Sequence, residues 1–256
     1  MHLLNRVDDV EPGPVDRTGL LGLYRWPEPS GRAVVRSNFI ATLDGSIQGL
    51  DGRSGSINTP SDHEIYALHR ALADVILVGA GTVRAEGYRA VDLQPWQREI
   101  RAAEGLAPYP LLAVVTRSLH LDPAIADPLV EHGPVIIMTT QQHDEGDVRP
   151  LLAAGIEVRS HGRAAVDLAE LTGDLAERGQ SRILCEGGPR LHRDLLAAGL
   201  LDELSLTLSP SAVGGGGVRS TVGDPLPARV DFDLRFLLLA EDQTVFASYR
   251  RSTSPG

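Results

Sequence analysis

Short uninterrupted apolar runs alternate along this chain with stretches whose apolar residues recur at helical spacing. Asp74-Val75-Ile76-Leu77-Val78, Leu111-Leu112-Ala113-Val114-Val115 and the Val-Ile-Ile-Met run within 134–140 are rich in β-branched residues and lack polar alternation. Such runs read as strands covered on both faces. Residues 33–40, 156–158 and Ile183-Leu184-Cys185 add three more. Between them, Thr59 as N-cap, Pro60 at the first helical position and Asp62 closing a capping box start a helix whose buried stripe is Ile65, Leu68 and Leu72. Residues 94–107, around Trp96, read as a surface helix or excursion, 148–154 as a short helix, and 166–178 as a helix ended by Gly179. Another helix opens at Pro189, carries Leu191, Leu195 and Ala198, and stops at Gly199. Strands alternating with helices predict an α/β fold, a mostly parallel sheet with helices on both faces. Residues 202–208 alternate as a strand, and 232–240 with 244–249 read as a C-terminal antiparallel pair, so the sheet is mixed. Residues 1–31, rich in Pro and Gly, read as an extended lead-in in which 20–24 docks as a short turn; 32–251 form the body.

Charge and composition narrow the function. The chain has 256 residues and a formal net charge of -10, with a pI near 5.2, which argues against a nucleic-acid or acidic-membrane partner. The N-terminus lacks the apolar stretch of a signal peptide, and no run approaches spanning length, so a cytoplasmic location is expected. Cys185 is the single cysteine; it reads as a packed core thiol, with neither a disulfide nor a thiolate metal site available. His63-Glu64 begins like a zinc-protease helix, but Ala67 stands where the second histidine belongs, so no metal is expected.

The chemistry concentrates at strand ends. Gly79-Ala80-Gly81-Thr82 follows the 74–78 strand directly, where bare backbone N–H groups can receive an anion, with Thr82 and Arg84 in reach. Arg84 stands where a dinucleotide fingerprint would place its third glycine. Glu186-Gly187-Gly188-Pro189 repeats the device at a second strand end, against a helix start. Thr116-Arg117-Ser118 ends the strand at 111–115 with a cation between hydroxyls, suited to a phosphate monoester such as the 2′-phosphate of NADP. Each segment alone reads as a tight connection or as surface polarity; together they point to one phosphate-bearing ligand. Asp44-Gly45 is either a turn or a carboxylate beside that cleft. Arg70 is either a surface charge or an anion contact.

Four ordered motifs carry a resemblance: Asn38-Phe39-Ile40-Ala41-Thr42-Leu43-Asp44-Gly45, Val78-Gly79-Ala80-Gly81-Thr82-Val83-Arg84-Ala85-Glu86, Glu186-Gly187-Gly188-Pro189 and Asp202-Glu203-Leu204. Over about 33–250 the chain resembles the pyrimidine reductases of riboflavin biosynthesis, the C-terminal domain of the bifunctional deaminase-reductase. Gly87-Tyr88-Arg89 after the acidic residue is similar to actinobacterial stand-alone reductase-like proteins. The resemblance implies a dihydrofolate-reductase-like three-layer fold, NADPH as cofactor, a homodimer, and reduction of a 5-amino-6-ribosylaminopyrimidine 5′-phosphate at the ribosyl C1′. It implies that Ala41, Gly79, Gly81, Thr82, Val83, Glu86, Thr116, Arg117, Ser118, Gly187, Gly188, Pro189 and Arg190 line the cofactor. Asn38, Ser54, Arg70 and Arg89 would bind substrate, with Arg70 or Arg89 on its phosphate, and Asp44 and Glu186 would serve catalysis. Asn38 replaces a lysine common in the bifunctional enzymes, Ser56 replaces an aromatic, and the zinc deaminase module is absent. A pteridine or dihydrofolate substrate, and a non-catalytic NADPH-binding protein, are the alternative readings.

Overall fold

A computed structural model of the chain describes residues 1–6, 12–28, 31–126 and 132–252. Its centre is a run of parallel strands: β3 (Val34–Thr42), β4 (Val75–Gly79), β5 (Leu111–Val115), β6 (Val135–Thr139), β7 (Glu157–Ser160), β8 (Arg182–Gly187) and β9 (Glu203–Ser209). The remaining strands, β1 (His2–Arg6), β2 (Gly13–Pro14), β10 (Phe232–Leu239) and β11 (Val245–Arg251), pair antiparallel. Among the described residues, eleven strands form one sheet in the order β2-β1-β10-β11-β9-β3-β8-β4-β5-β6-β7. The mixed, mostly parallel sheet and the β10–β11 pair agree with the pattern of the sequence.

Apolar runs without alternation become strands buried on both sides. Along β4, Ile76 and Val78 enter one core while Val75 and Leu77 enter the other. The first core is covered by α1 (Arg17–Tyr24), α2 (Pro60–Leu72), α3 (Ala80–Glu86) and α5 (Glu145–Ala153). The second is covered by α6 (Leu168–Glu177) and α7 (Pro189–Ala197). Cys185 is fully buried in that second core, where burial pushes its thiol up to about 12. Among the described residues no helix is long and apolar enough to cross a membrane.

Two segments depart from the expectations. The lead-in is not simply extended: β1 joins the sheet beside β10, α1 is capped by Asp16 on Gly19 N, and Tyr24 and Trp26 are buried. Residues 20–24 do dock, through Leu20, Leu23 and Tyr24, but as the end of a helix where a short turn was expected. Its residues 7–11 and 29–30 lie outside the described residues. The excursion after residue 94 holds α4 (Pro95–Ala103), which is not a purely surface helix. Its Arg101 is buried and donates to the carbonyls of Arg70, Ala71 and Ala73, closing the C-terminus of α2. A cation on the last carbonyls satisfies groups that the helix itself cannot.

Candidate functional site

Strand ends set the site. In the parallel pair β4–β8, Leu77 lies opposite Cys185 and Val78 opposite Gly187, so Glu186 is an extra residue. A bulge of this kind re-aims a side chain. Gly187 and Gly188 then take φ of +122° and +82°, conformations that favour glycine. A Cβ built on Gly188 would stand 3.5 Å from Gly79 Cα, so the two glycine turns touch. Gly79 has an ordinary φ of -77°, and a Cβ built on it would meet Gly188 Cα at 3.7 Å, an ordinary contact, so the positive φ values of Gly187 and Gly188 set the glycine requirement at this junction.

Beside this junction lies a cleft of about 490 Å³, lined by residues of β3, the 47–58 loop, α2, α3 and its following turn, and the β8–α7 corner. A hollow of about 860 Å³ at the N-terminal hairpin is larger, but its lining, from Met1, Leu3, Pro14 and Gly22 to Glu241, brings no comparable group of polar side chains together. Asn38, Ser54, Arg70, Thr82, Glu86, Arg89, Glu186, Gly187, Gly188 and Pro189 all line the 490 Å³ cleft. The remaining predicted residues do not. Gly81, Arg117, Ser118 and Arg190 lie exposed just beyond the ends of β4, β5 and β8. Thr116 is buried at the end of β5, and Val83 is packed in the core under α3, so its side chain is not a ligand contact. Ala41 packs with Phe39 and Ile47.

Glu186 is the most heavily bonded group in the cleft. Its Oε1 accepts from Arg70 Nε at 2.7 Å, and its Oε2 from Arg70 Nη2 at 2.6 Å and from the Tyr66 and Tyr88 hydroxyls at 2.9 Å each. The guanidinium lies 4.4 Å from the Tyr66 ring centroid and 5.6 Å from that of Tyr88. Tyr88 reaches this point because Gly87, at φ +73°, turns the chain back on α3. Burial, with Glu186 nearby, raises both phenols well above their ordinary range.

This arrangement separates the two candidate phosphate anchors. Arg70 spends its charge on Glu186, whereas Arg89 donates to the Tyr88 carbonyl and has no acidic partner among the described residues. Asp44 does not line the cleft. Its exposed carboxylate accepts from the Thr42 hydroxyl and from Val213 N and Gly214 N, bonds that lower its pKa, and it tethers the glycine-rich segment that follows β9.

Asp62 is the group that pattern reading misassigned. Its N–H does cap onto Thr59 Oγ1 at 3.1 Å, but its side chain is buried and lines the cleft. With its amide oriented by its neighbours, Asn58 donates to Asp62 Oδ2 at 3.2 Å. Burial raises the Asp62 pKa against the opposing influence of Thr207 and His63. Asn38 also lines the cleft, and its Oδ1 is buried with no hydrogen-bond partner among the described residues. The proline-led helix start concealed this role, because a capping aspartate and a cleft aspartate look alike in sequence.

The RibD C-terminal domain model matches residues 33–243. The chain belongs to that family. A 2,5-diamino-6-ribosylamino-4(3H)-pyrimidinone 5′-phosphate reductase of Archaeoglobus fulgidus is 31% identical over 184 residues, 72% of this chain and 83% of that protein. The protein of the same name from Methanothermobacter thermautotrophicus is 30% identical over 195 residues, 75% of this chain and 84% of its own. A pyrimidine reductase-like protein from Corynebacterium diphtheriae superposes with a TM-score of 0.78 at 24% identity, covering 92% of this chain and 99% of that one, which establishes the shared fold.

Proposed function

We propose that this RibD-family protein is an NADPH-dependent oxidoreductase that reduces the ribosyl group of a 5-amino-6-ribosylaminopyrimidine 5′-phosphate to ribityl, in riboflavin biosynthesis. The observation that carries the reading is the contact of Gly79 with Gly188, which brings both glycine turns to one edge of one cleft. Residues present there fit the cofactor. Among the described residues, nothing beyond its own helix turn lies within 4 Å of a Cβ built on Gly81, and the exposed Arg84, Arg117 and Arg190 have no acidic partner. Unpaired cations on a chain of net charge -10 suit pyrophosphate and the 2′-phosphate that distinguishes NADPH from NADH.

NADPH supplies a hydride, and the chain supplies position, exclusion of water and a proton. With the cofactor bound, C1′ of the ring-opened imine would receive the hydride and the imine nitrogen the proton, which would leave a ribityl amine. Arg89 holds the substrate phosphate. Asp62, whose pKa burial raises, is the proton source in this reading, since Glu186 is committed to Arg70, Tyr66 and Tyr88. Asn38 Oδ1 accepts a donor of the bound ring system. The reading takes the enzyme to be cytoplasmic and homodimeric, the latter testable by sedimentation.

The test is NADPH binding followed by fluorescence, then NADPH oxidation with the 2-amino and 2-oxo forms of the ribosylaminopyrimidine 5′-phosphate, and with dihydrofolate. Turnover of either ribosylaminopyrimidine supports the assignment. Turnover of dihydrofolate alone, or tight NADPH binding without turnover, replaces it with one of the alternatives.

A further inference from the structure

Tyr66 and Tyr88 stand outside the roles so far assigned, and their chemistry is constrained by what they touch. A phenol has one proton to give. Both hydroxyls stand 2.9 Å from the same atom, Glu186 Oε2, and hydrogen-bond to each other, so both protons are spent within this cluster. Both phenols are held protonated by burial beside that carboxylate. Reorienting either hydroxyl would strip a hydrogen bond from a cluster around an anion whose side chain is only 1% exposed. Arg70, stacked near both rings, fixes them from the other side. Tyr66 and Tyr88 nevertheless line the cleft, where their remaining capacity is lone pairs.

We propose that Tyr66 and Tyr88 form an acceptor-only subsite that selects a ligand presenting adjacent hydroxyl donors, namely the sugar chain of the substrate. The inference rests on the pyrimidine-reductase reading and deepens it. Because the two phenol oxygens share one neighbour, they stand within twice 2.9 Å of each other. That separation accommodates neighbouring hydroxyls of a polyol. A phosphate, which at neutral pH mainly accepts, is disfavoured there and is left to Arg89. Sites built to bond a hydroxyl reject analogues that lack it, because the protein's own polar groups then go unpaired.

The test compares wild type with Tyr66→Phe and Tyr88→Phe, variants that keep the rings over Arg70. KM and kcat are measured under saturating NADPH with the ribosylaminopyrimidine 5′-phosphate and with analogues lacking one sugar hydroxyl. The subsite predicts that at least one variant loses about tenfold in kcat/KM on the full substrate but less than about twofold on one deoxy analogue, with NADPH affinity unchanged. Equal losses on all sugars, or no loss with any, overturn it. Circular dichroism melts separate a folding defect from the subsite effect, and binding of the ribityl product by calorimetry repeats the comparison without turnover. If wild type turns over no ribosylaminopyrimidine, the parent reading fails; if wild type turns over and the variants lose equally, only the subsite fails.

Discussion

At the scale of single residues, the cleft separates charges that are spent from charges that are available. Arg70 and Glu186 form a buried, bidentate pair, and removing one partner of such a pair costs roughly 3–5 kcal/mol because the other is stranded. Arg89 is exposed and has no acidic partner among the described residues. Arg89→Gln is therefore expected to raise KM for the phosphorylated substrate about 10- to 100-fold, the loss of one or two charge-assisted hydrogen bonds, with the melting temperature unchanged. Steady-state kinetics beside a thermal melt check this. Asp62 gives a prediction of opposite signs. Its folded-state pKa is raised, so the native protein holds a proton that the unfolded chain has released, and stability falls as pH climbs from the ordinary aspartate range through the raised value. Asp62→Asn is expected to be more stable than wild type at neutral pH, to match it in acid, and to lose kcat. Denaturant titrations at pH 4 and pH 7 test the first part. A variant no more stable at pH 7 would contradict the buried carboxylate.

At the scale of elements, the β8–α7 corner was legible in sequence because glycine, glycine and proline after an apolar run leave few alternatives. What could not be read there was the reason for each glycine. Gly188 is needed for its φ of +82°, whereas Gly79 has an ordinary φ with room for a Cβ at ordinary contact distance and Gly81 has open space around it. Two substitutions separate these causes. Gly188→Ala should cost about 1–2 kcal/mol of stability, the penalty of a left-handed backbone for a residue with a Cβ. Gly81→Ala should leave stability within about 0.5 kcal/mol, as at an unstrained surface position, and weaken NADPH binding. Urea denaturation and fluorescence titration of both variants distinguish packing from ligand contact. Asp44 and Asp62 were harder to read because a turn dipeptide and a capping residue have local explanations that leave their carboxylates unplaced. Val83 followed its motif neighbours into the expected cofactor list, yet helical spacing on α3 turns it into the core.

At the scale of the molecule, the parallel centre follows from apolar runs too continuous for a half-exposed sheet, and that much was visible at once. The N-terminal addition was not, since β1 pairs with β10 across most of the chain and local pattern carries no trace of so distant a partner. The whole fold also carries an acid sensitivity. His192 bridges α7 to β3 and the segment after β9, with Nε2 3.2 Å from Ser37 Oγ and Nδ1 2.9 Å from the Ser220 carbonyl. Burial lowers its pKa from 6.5 to about 4. In that interval the unfolded chain binds a proton that the native state refuses, so its contribution is complete above pH 6.5 and lost as pH falls toward 4. His69, fully buried and also lowered, acts in the same direction. Melting temperature should decline through this window, and His192→Gln should flatten the decline.

All three scales meet in the claim that two glycine corners hold opposite parts of one dinucleotide. A crystal soaked with NADPH tests it most directly. The account predicts density for the pyrophosphate against Gly81 and Gly187–Gly188, the 2′-phosphate beside Arg117 and Ser118, and the nicotinamide in the cleft that Asn38 and Asp62 line. NADPH bound away from the Gly79–Gly188 junction, or no bound NADPH at millimolar concentration, would contradict it.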